Sequence, residues 1–387
     1  MKNFHYIIPT EILFGKGSIK GLPEAIKKFG NKVLLAYGGG SIKKIGLYHE
    51  VIKLLKENNI EYVELSGIDP NPRITSVREG VKLCKEHNID VVLPVGGGST
   101  IDCAKVIAAG AKYEGDPWDI VLDASVAKEV LPIISILTLS ATGSEMDGFA
   151  VISDMDSNNK IGTGSDLMRP KLSILDPEYT FSVPKNQTAA GTADIMSHIF
   201  EVYFSNTKEA FLQDRMAEAL LKTCIKYGVI AYNDPENYEA RANLMWASSL
   251  AINGLLTHGK AGAWSVHPME HELSAFYDIT HGVGLAILTP HWMKYVLNEN
   301  TLDKFVEFGV NVWDIDRNLD KHEIANKAIE MTADYFRQLE IPTTLREVGI
   351  TEEKLEVMAK QAVRFGLEYG YKPLTTEDVL NIYKAAL

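Results

Sequence analysis

Roughly the first 180 residues alternate between two periods, and that alternation constrains the fold more than any other feature of the 387-residue chain. Short β-branched runs, KVLLAY (32–37), EYVELS (61–66), DVVLPV (90–95) and PIISILTL (132–139), are separated by longer helical patterns. One of these, SVREGVKLCKEHN (76–88), sets Val77, Val81 and Cys84 on one stripe. Strands this apolar, joined by helix-length connections, predict βαβ units in a parallel sheet covered on both faces. Right-handed crossovers then bring the strand C-termini, where ligands bind, to one edge.

The texture changes after DPEYTFSVP (176–184). From Lys185 onward the pattern is helical, in long segments such as DRMAEALLKTCIKYGVIAY (214–232), and no strand is predicted after Ser173–Leu175. The length exceeds what one core usually supports. The expected architecture is an α/β, Rossmann-like parallel-sheet domain over residues 1–183 followed by an all-α domain over 184–387. A cleft between two such domains is where a site is expected.

Composition removes several partners. A formal net charge of −12 argues against nucleic acid, whose binding rests on Lys and Arg neutralising phosphates. Cys84, Cys103 and Cys224 share no CxxC spacing, which speaks against a disulfide framework or a thiolate zinc site and for a reducing cytoplasm. The opening MKNFHYIIPTEILFGKG lacks the apolar core of a signal peptide, and LPIISILTL (131–139) is too short to span a bilayer. No membrane role is expected.

Two strands end in the same word, YGGGSIKK (37–44) and VGGGSTIDCAK (95–105), and neither is GxGxxG. Glycines after a strand allow close backbone approach, and Ser99 or Thr100 then opens a helix whose free N–H groups can bind a diphosphate. One GGGS is often only a tight βα turn. Two of them at successive turns share a sheet edge, and a nucleotide laid across it accounts for both. A third segment, TLSATGSEMDGFAVIS (138–153), offers the hydroxyls of Thr138, Ser140, Thr142 and Ser144.

In GTADIMSHIFEVYF (191–204), Asp194 and His198 stand at i, i+4 inside an apolar segment. Alone, the pair reads first as a satisfied polar contact in a core, and only second as half of a metal site. Downstream, WSVHPMEHELSAFYDITHGVGL (264–285) adds His267, His271 and His281, three of only ten histidines. The order HPMEH is not HExxH, so no zincin is implied. Asp194, His198, His267 and His281 can supply a divalent first-row metal, Fe²⁺ or Zn²⁺, from separate helices. His271 is then left as an imidazole able to carry a proton near neutral pH.

GGGST (96–100), ATGSE (141–145), QTAAGTADIMSHIFE (187–201) and HPMEHELSAFYDITHG (267–282) together resemble the iron-containing (group III) alcohol dehydrogenases over nearly the whole chain. Within that family the chain is most similar to the clostridial-type butanol dehydrogenases and related NADPH-dependent aldehyde reductases. The resemblance implies a Rossmann-like domain, a helical domain, a homodimer, and one divalent metal held by Asp194, His198, His267 and His281. It places Gly38, Gly39, Ser41, Gly97, Gly98, Ser99, Asp102, Thr138, Thr142, Lys160 and Tyr179 at the nucleotide. It puts His271, as a non-ligand histidine, near the nicotinamide and the reacting oxygen. Asp147–Gly148–Phe149 departs from the family's usual residues.

The implied reaction is reversible reduction of short- to medium-chain aldehydes such as butanal, with Phe149 and Trp264 as candidate walls of the substrate pocket. NADP(H) is expected over NAD(H), because Lys43 and Lys44 follow the 38–41 turn and no carboxylate follows until Glu50. Two rivals use the same features. A lyase resembling dehydroquinate synthase calls for clustered Arg or Lys near the metal, which the histidine motifs lack. A metal hydrolase leaves both glycine turns unexplained.

Overall fold

A computed structural model of the protein describes residues 1–260, 262 and 264–387. The chain forms two units. One is built on a sheet, from Ile7–Val183 with Pro235–Ser249; the other is helical, from Met1–Tyr6, Pro184–Asp234 and Leu250–Leu387.

The sheet unit has eight strands: β1 (Glu11–Phe14), β2 (Lys32–Tyr37), β3 (Glu61–Leu65), β4 (Val91–Gly96), β5 (Ile134–Leu137), β6 (Phe149–Asp154), β7 (Asn159–Gly164) and β8 (Leu172–Leu175). Six of them form a sheet in the order β1-β8-β5-β4-β2-β3, every pair parallel. Alternate side chains leave opposite faces. Val33, Leu35, Val91, Leu93, Ile134 and Ile136 bury against Ile26, Val51 and Leu55 of the helices Leu22–Lys27 and Leu47–Glu57. Leu34, Ala36 and Val92 bury against Val77, Cys84, Cys103 and Ile107 of the helices Ile74–His87 and Gly98–Gly110. Burial on both faces is why these strands read as unbroken apolar runs.

The order of the strands reverses between β2 and β4. The chain leaves β2 for β3 on one side and returns to β4 on the other, with Tyr37 paired to Val95. Both glycine turns therefore flank the switch point, where open α/β sheets bind ligands.

Two features are absent from the sequence expectation. The edge strand β1 is one. The other is the antiparallel hairpin β6–β7, pairing Phe149 with Gly164 through Asp154 with Asn159, which begins inside the hydroxyl-rich stretch 138–153. Its turn, residues 155–158, is polar apart from Met155, with Asn158 at φ 50°.

The helical unit contains no strand among the described residues. Its first long helix, Lys185–Tyr203, is buried at every position from Thr188 to Tyr203. A helix apolar all round is a core helix, which makes the polar residues it carries conspicuous. No helix among the described residues is long and apolar enough to cross a membrane.

The units are not two contiguous stretches, as the division at 183/184 supposed. The helix Tyr238–Ile252 carries Met245 into a buried cluster with Ile101, Leu137 and Leu175 of the sheet unit. Residues 1–6 join the helical unit, where Lys2 N–H donates to the Gly259 carbonyl at 2.8 Å and Phe4 and Tyr6 meet His258 edge-on. Hydrophobic period reports that a segment packs, but not against which core.

Candidate active site

Three helices converge on Asp194. Asp194 and His198 lie one turn apart on Lys185–Tyr203, His267 is the second residue of Val266–Tyr277, and His281 opens His281–Val296. The last helix can come close because its second residue has no side chain. A Cβ on Gly282 would stand 2.0 Å from the Ala190 carbonyl oxygen.

Asp194 Oδ1 lies 3.7 Å from His198 Nε2, 3.9 Å from His267 Nε2 and 3.8 Å from His281 Nε2. These separations are too long for hydrogen bonds. Asp194 Oδ1 and His267 Nε2 are in fact buried without a hydrogen-bond partner, as is His198 Nδ1. Donors about 2.0–2.2 Å from a shared tetrahedral ion stand about 3.3–3.6 Å apart, close to what is found. The donor set and its orphaned atoms thus fit a divalent cation. The donors of Asp194, His267 and His281 all lie within 4.8 Å of one another, while His198 reaches the set through Asp194 and stacks on the His267 ring at 4.7 Å. Burial, only partly opposed by Asp194, pulls the His198 imidazole down to about 3, so it is neutral and able to ligate.

Two buried carboxylates that sequence reasoning missed hold the histidines. Glu201 accepts from His267 Nδ1 at 3.2 Å, and Glu270 accepts from His281 Nδ1 and from the Ser274 hydroxyl. Glu201 lies seven residues after Asp194 and Glu270 three after His267, so helical spacing was the available signal.

His271 is half-buried, its ring 5.6 Å from that of His281 and 6.3 Å from that of His267. It groups with Glu270 and His281, the donor atoms of the three lying within 4.8 Å of one another. Trp264 covers the rings of His267 and His198 at 4.6 and 5.5 Å. Phe149, the other candidate wall, is exposed at the start of β6.

In the sheet unit, β4 runs through Gly96 and Gly97 into Gly98–Gly110, a helix whose N-terminus no side chain caps. Its first N–H groups meet the requirement for binding phosphate. Thr138 N–H donates to the Gly96 carbonyl at 3.0 Å, and a Cβ on Gly98 would lie 2.2 Å from Thr142 Oγ1. Gly97, Gly98, Ser99, Thr138 and Thr142 thus gather at the ends of β4 and β5, with Gly38, Gly39 and Ser41 after β2. Lys160 is buried on β7 opposite Ser153, and Tyr179 sits in the turn Pro177–Thr180 after β8. Burial, with Glu50 nearby, raises the Tyr179 phenol.

Asp102 faces inward. Its Oδ1 accepts from the Ser144 hydroxyl at 2.5 Å and its Oδ2 from Val151 N–H at 2.9 Å, and burial lifts its carboxyl to about 6. Beside it, the fully buried Lys105 donates to Ser144 Oγ (2.8 Å), Asp147 Oδ1 (2.6 Å) and the Phe149 carbonyl (2.7 Å). The unusual Asp147 is therefore the counter-ion that ties the 142–149 segment to the glycine-turn helix.

The turn after β2 also differs from its sequence reading. Lys43 stands 5.0 and 4.8 Å above the rings of Tyr37 and Tyr48. Both phenols donate to Glu64, at 2.6 and 2.8 Å, so a carboxylate does lie in this neighbourhood, supplied by β3.

A switch-point sheet and a buried Asp/His cluster are the two parts of a metal-dependent dehydrogenase, and comparison with known proteins agrees. Residues 9–177 match the iron-containing alcohol dehydrogenase family model, and residues 188–387 match the model of the C-terminal region of the Fe-containing alcohol dehydrogenase family. The chain is 64% identical over 386 residues to an NADH-dependent butanol dehydrogenase A of Clostridium acetobutylicum, covering 99% of each. It is 38% identical over its whole length to an NADPH-dependent aldehyde reductase of Escherichia coli, also covered in full. The crystal structure of an NADH-dependent butanol dehydrogenase A of Thermotoga maritima superposes with a TM-score of 0.95 at 40% identity, covering 100% of this chain and 99% of that one. The chain belongs to the iron-containing alcohol dehydrogenase family.

Proposed function

We propose that the chain reduces short- to medium-chain aldehydes, butanal among them, to primary alcohols, and catalyses the reverse oxidation. The observation that carries this is Asp194 Oδ1, buried and unpartnered within 3.7–3.9 Å of three imidazole nitrogens. When bound, a divalent iron or zinc ion supplies Lewis-acid polarisation of the carbonyl and a reduced nicotinamide supplies the hydride. Asp194, His198, His267 and His281 would hold the ion. The amides at Gly97–Ser99, with Thr138 and Thr142, bind and orient the diphosphate. Gly38, Gly39 and Ser41 receive the adenosine end, with Asp102 keeping the neighbouring segment in place and Lys160 and Tyr179 completing the binding surface. His271, which the cluster does not need, gives the product oxygen its proton. Trp264 keeps water from the imidazoles. Anaerobic purification with metal analysis, then an aldehyde panel followed by nicotinamide absorbance, tests the reading; a chain that binds metal yet turns over no aldehyde would overturn it.

The choice of nicotinamide turns on the β2 turn. Its amides and the Ser41 hydroxyl favour a 2′-phosphate, as the sequence expectation of NADPH held. Lys43 is engaged by two aromatic rings, however, and Glu64 brings a negative charge, which favours NADH. We take NADH as the better reading, in line with the name of the 64%-identical relative. Glu64→Gln should then move the ratio of kcat/KM values toward NADPH; an unchanged ratio would show that Glu64 does not take part. The reading includes a homodimer in a reducing cytoplasm, where the three buried thiols stay free. Light scattering tests the assembly.

A further inference from the structure

We propose that Glu201 and Glu270 are positioning residues that fix the tautomer and heading of His267 and His281, so that the pocket is shaped before an ion enters it. The proposal rests on the metal-site reading above. Glu201 Oε1 accepts from His267 Nδ1 at 3.2 Å and also from the backbone N–H groups of Val266 (2.8 Å) and His267 (2.9 Å); Oε2 accepts from Ser265 N–H at 2.7 Å. An ionised carboxylate only accepts. The proton on His267 therefore sits on Nδ1, and Nε2 offers its lone pair on the side of Asp194.

The same carboxylate serves the first N–H groups of Val266–Tyr277, where the helix dipole favours an anion. One side chain thus couples the start of a helix to the angle of a metal-facing ring, and neither can shift alone. Glu270, wholly buried, repeats the device on His281: one oxygen takes Nδ1 and the other takes the Ser274 hydroxyl, leaving Nε2 for the cluster. His198 has no such support. Its Nδ1 is buried without a hydrogen bond, and its ring is held by stacking on His267 and a tilted contact with Trp264.

The test uses the full chain stripped of metal by chelation, then titrated with Zn²⁺ in chelator competition and with Co²⁺ followed by its visible spectrum. Glu201→Gln and Glu270→Gln should each weaken Zn²⁺ binding by about 10–100-fold and shift the Co²⁺ bands, while far-ultraviolet circular dichroism stays that of the wild type. Folded variants that both bind Zn²⁺ within about twofold of wild type would overturn the proposal, leaving the carboxylates as a helix cap and a core hydrogen bond. Should Glu201→Gln fail to fold, Glu270→Gln decides alone. Asp194→Ala is the control for the underlying reading. If it keeps wild-type Zn²⁺ affinity, the metal site itself is misassigned and the proposal falls with it; if it loses Zn²⁺ while the glutamine variants do not, only the positioning role falls.

Discussion

His267 and His271 are four residues apart on one helix, yet their surroundings differ. His267 Nε2 is orphaned beside Asp194, whereas His271 lies outside the group of donors around that carboxylate. His267→Ala should therefore lose bound metal and nearly all turnover while the circular dichroism spectrum is kept; full metal content in this variant would refute the ligand assignment. His271→Asn should retain metal and lose about 10²-fold or more in kcat, the usual range for a missing general acid. Metal loss on that substitution would mean that a ligand had been taken for a proton carrier. The cluster of Asp194 with three histidines was legible in sequence because histidine is rare here and a charged residue in a core helix is conspicuous. Glu201 and Glu270 left only their helical spacing from Asp194 and His267 as a signal, and glutamate is too common in helices for that spacing to stand out. Lys105 was hidden for the same reason: only the fold reveals that it is sealed against Asp147.

Among the elements, close approach of backbones carries the geometry. Gly282→Ala would set a methyl group 2.0 Å from the Ala190 carbonyl and force two helices apart. Overpacking of this kind costs about 1–3 kcal/mol, so the urea midpoint should drop and Zn²⁺ affinity should fall with it, because His281 is the adjacent residue. Gly98→Ala collides instead with Thr142 Oγ1 and should raise the KM for the nicotinamide with little change in metal content. The doubly wound sheet was readable because β2, β4 and β5 are apolar on both faces, which leaves an unbroken signal. β1 is four residues long at an edge, β6 is a short apolar run at the end of a hydroxyl-rich stretch, and β7 is mostly polar residues and glycine. Such strands are specified by their partners more than by their own composition.

Across the whole molecule, buried carboxyls shape how stability follows pH, Glu145 of the sheet unit and Glu272 of the helical unit among them. Burial, opposed by a hydrogen bond from Ser249, raises the Glu145 carboxyl to about 7, against about 4.3 in an unfolded chain. A raised folded value means that its contribution is whole below about pH 4.3 and is lost as pH climbs through about 7. Glu145→Gln should therefore gain on the wild type progressively between those limits, measured as the difference in urea midpoints. Asp102, raised to about 6, slopes the same way in both proteins and cancels in that difference. A constant gap between the two curves would remove the assignment.

The return of Tyr238–Ile252 to the sheet unit also matters for synthesis. A ribosome delivers the six-stranded sheet early, yet Ile101, Leu137 and Leu175 receive Met245 only after the polypeptide has passed through part of the helical unit. At about 5–20 residues per second, the stretch from Pro184 to Ser249 occupies roughly 3–13 s. During that interval Ile101, Leu137 and Leu175 wait for the side chain that completes their cluster.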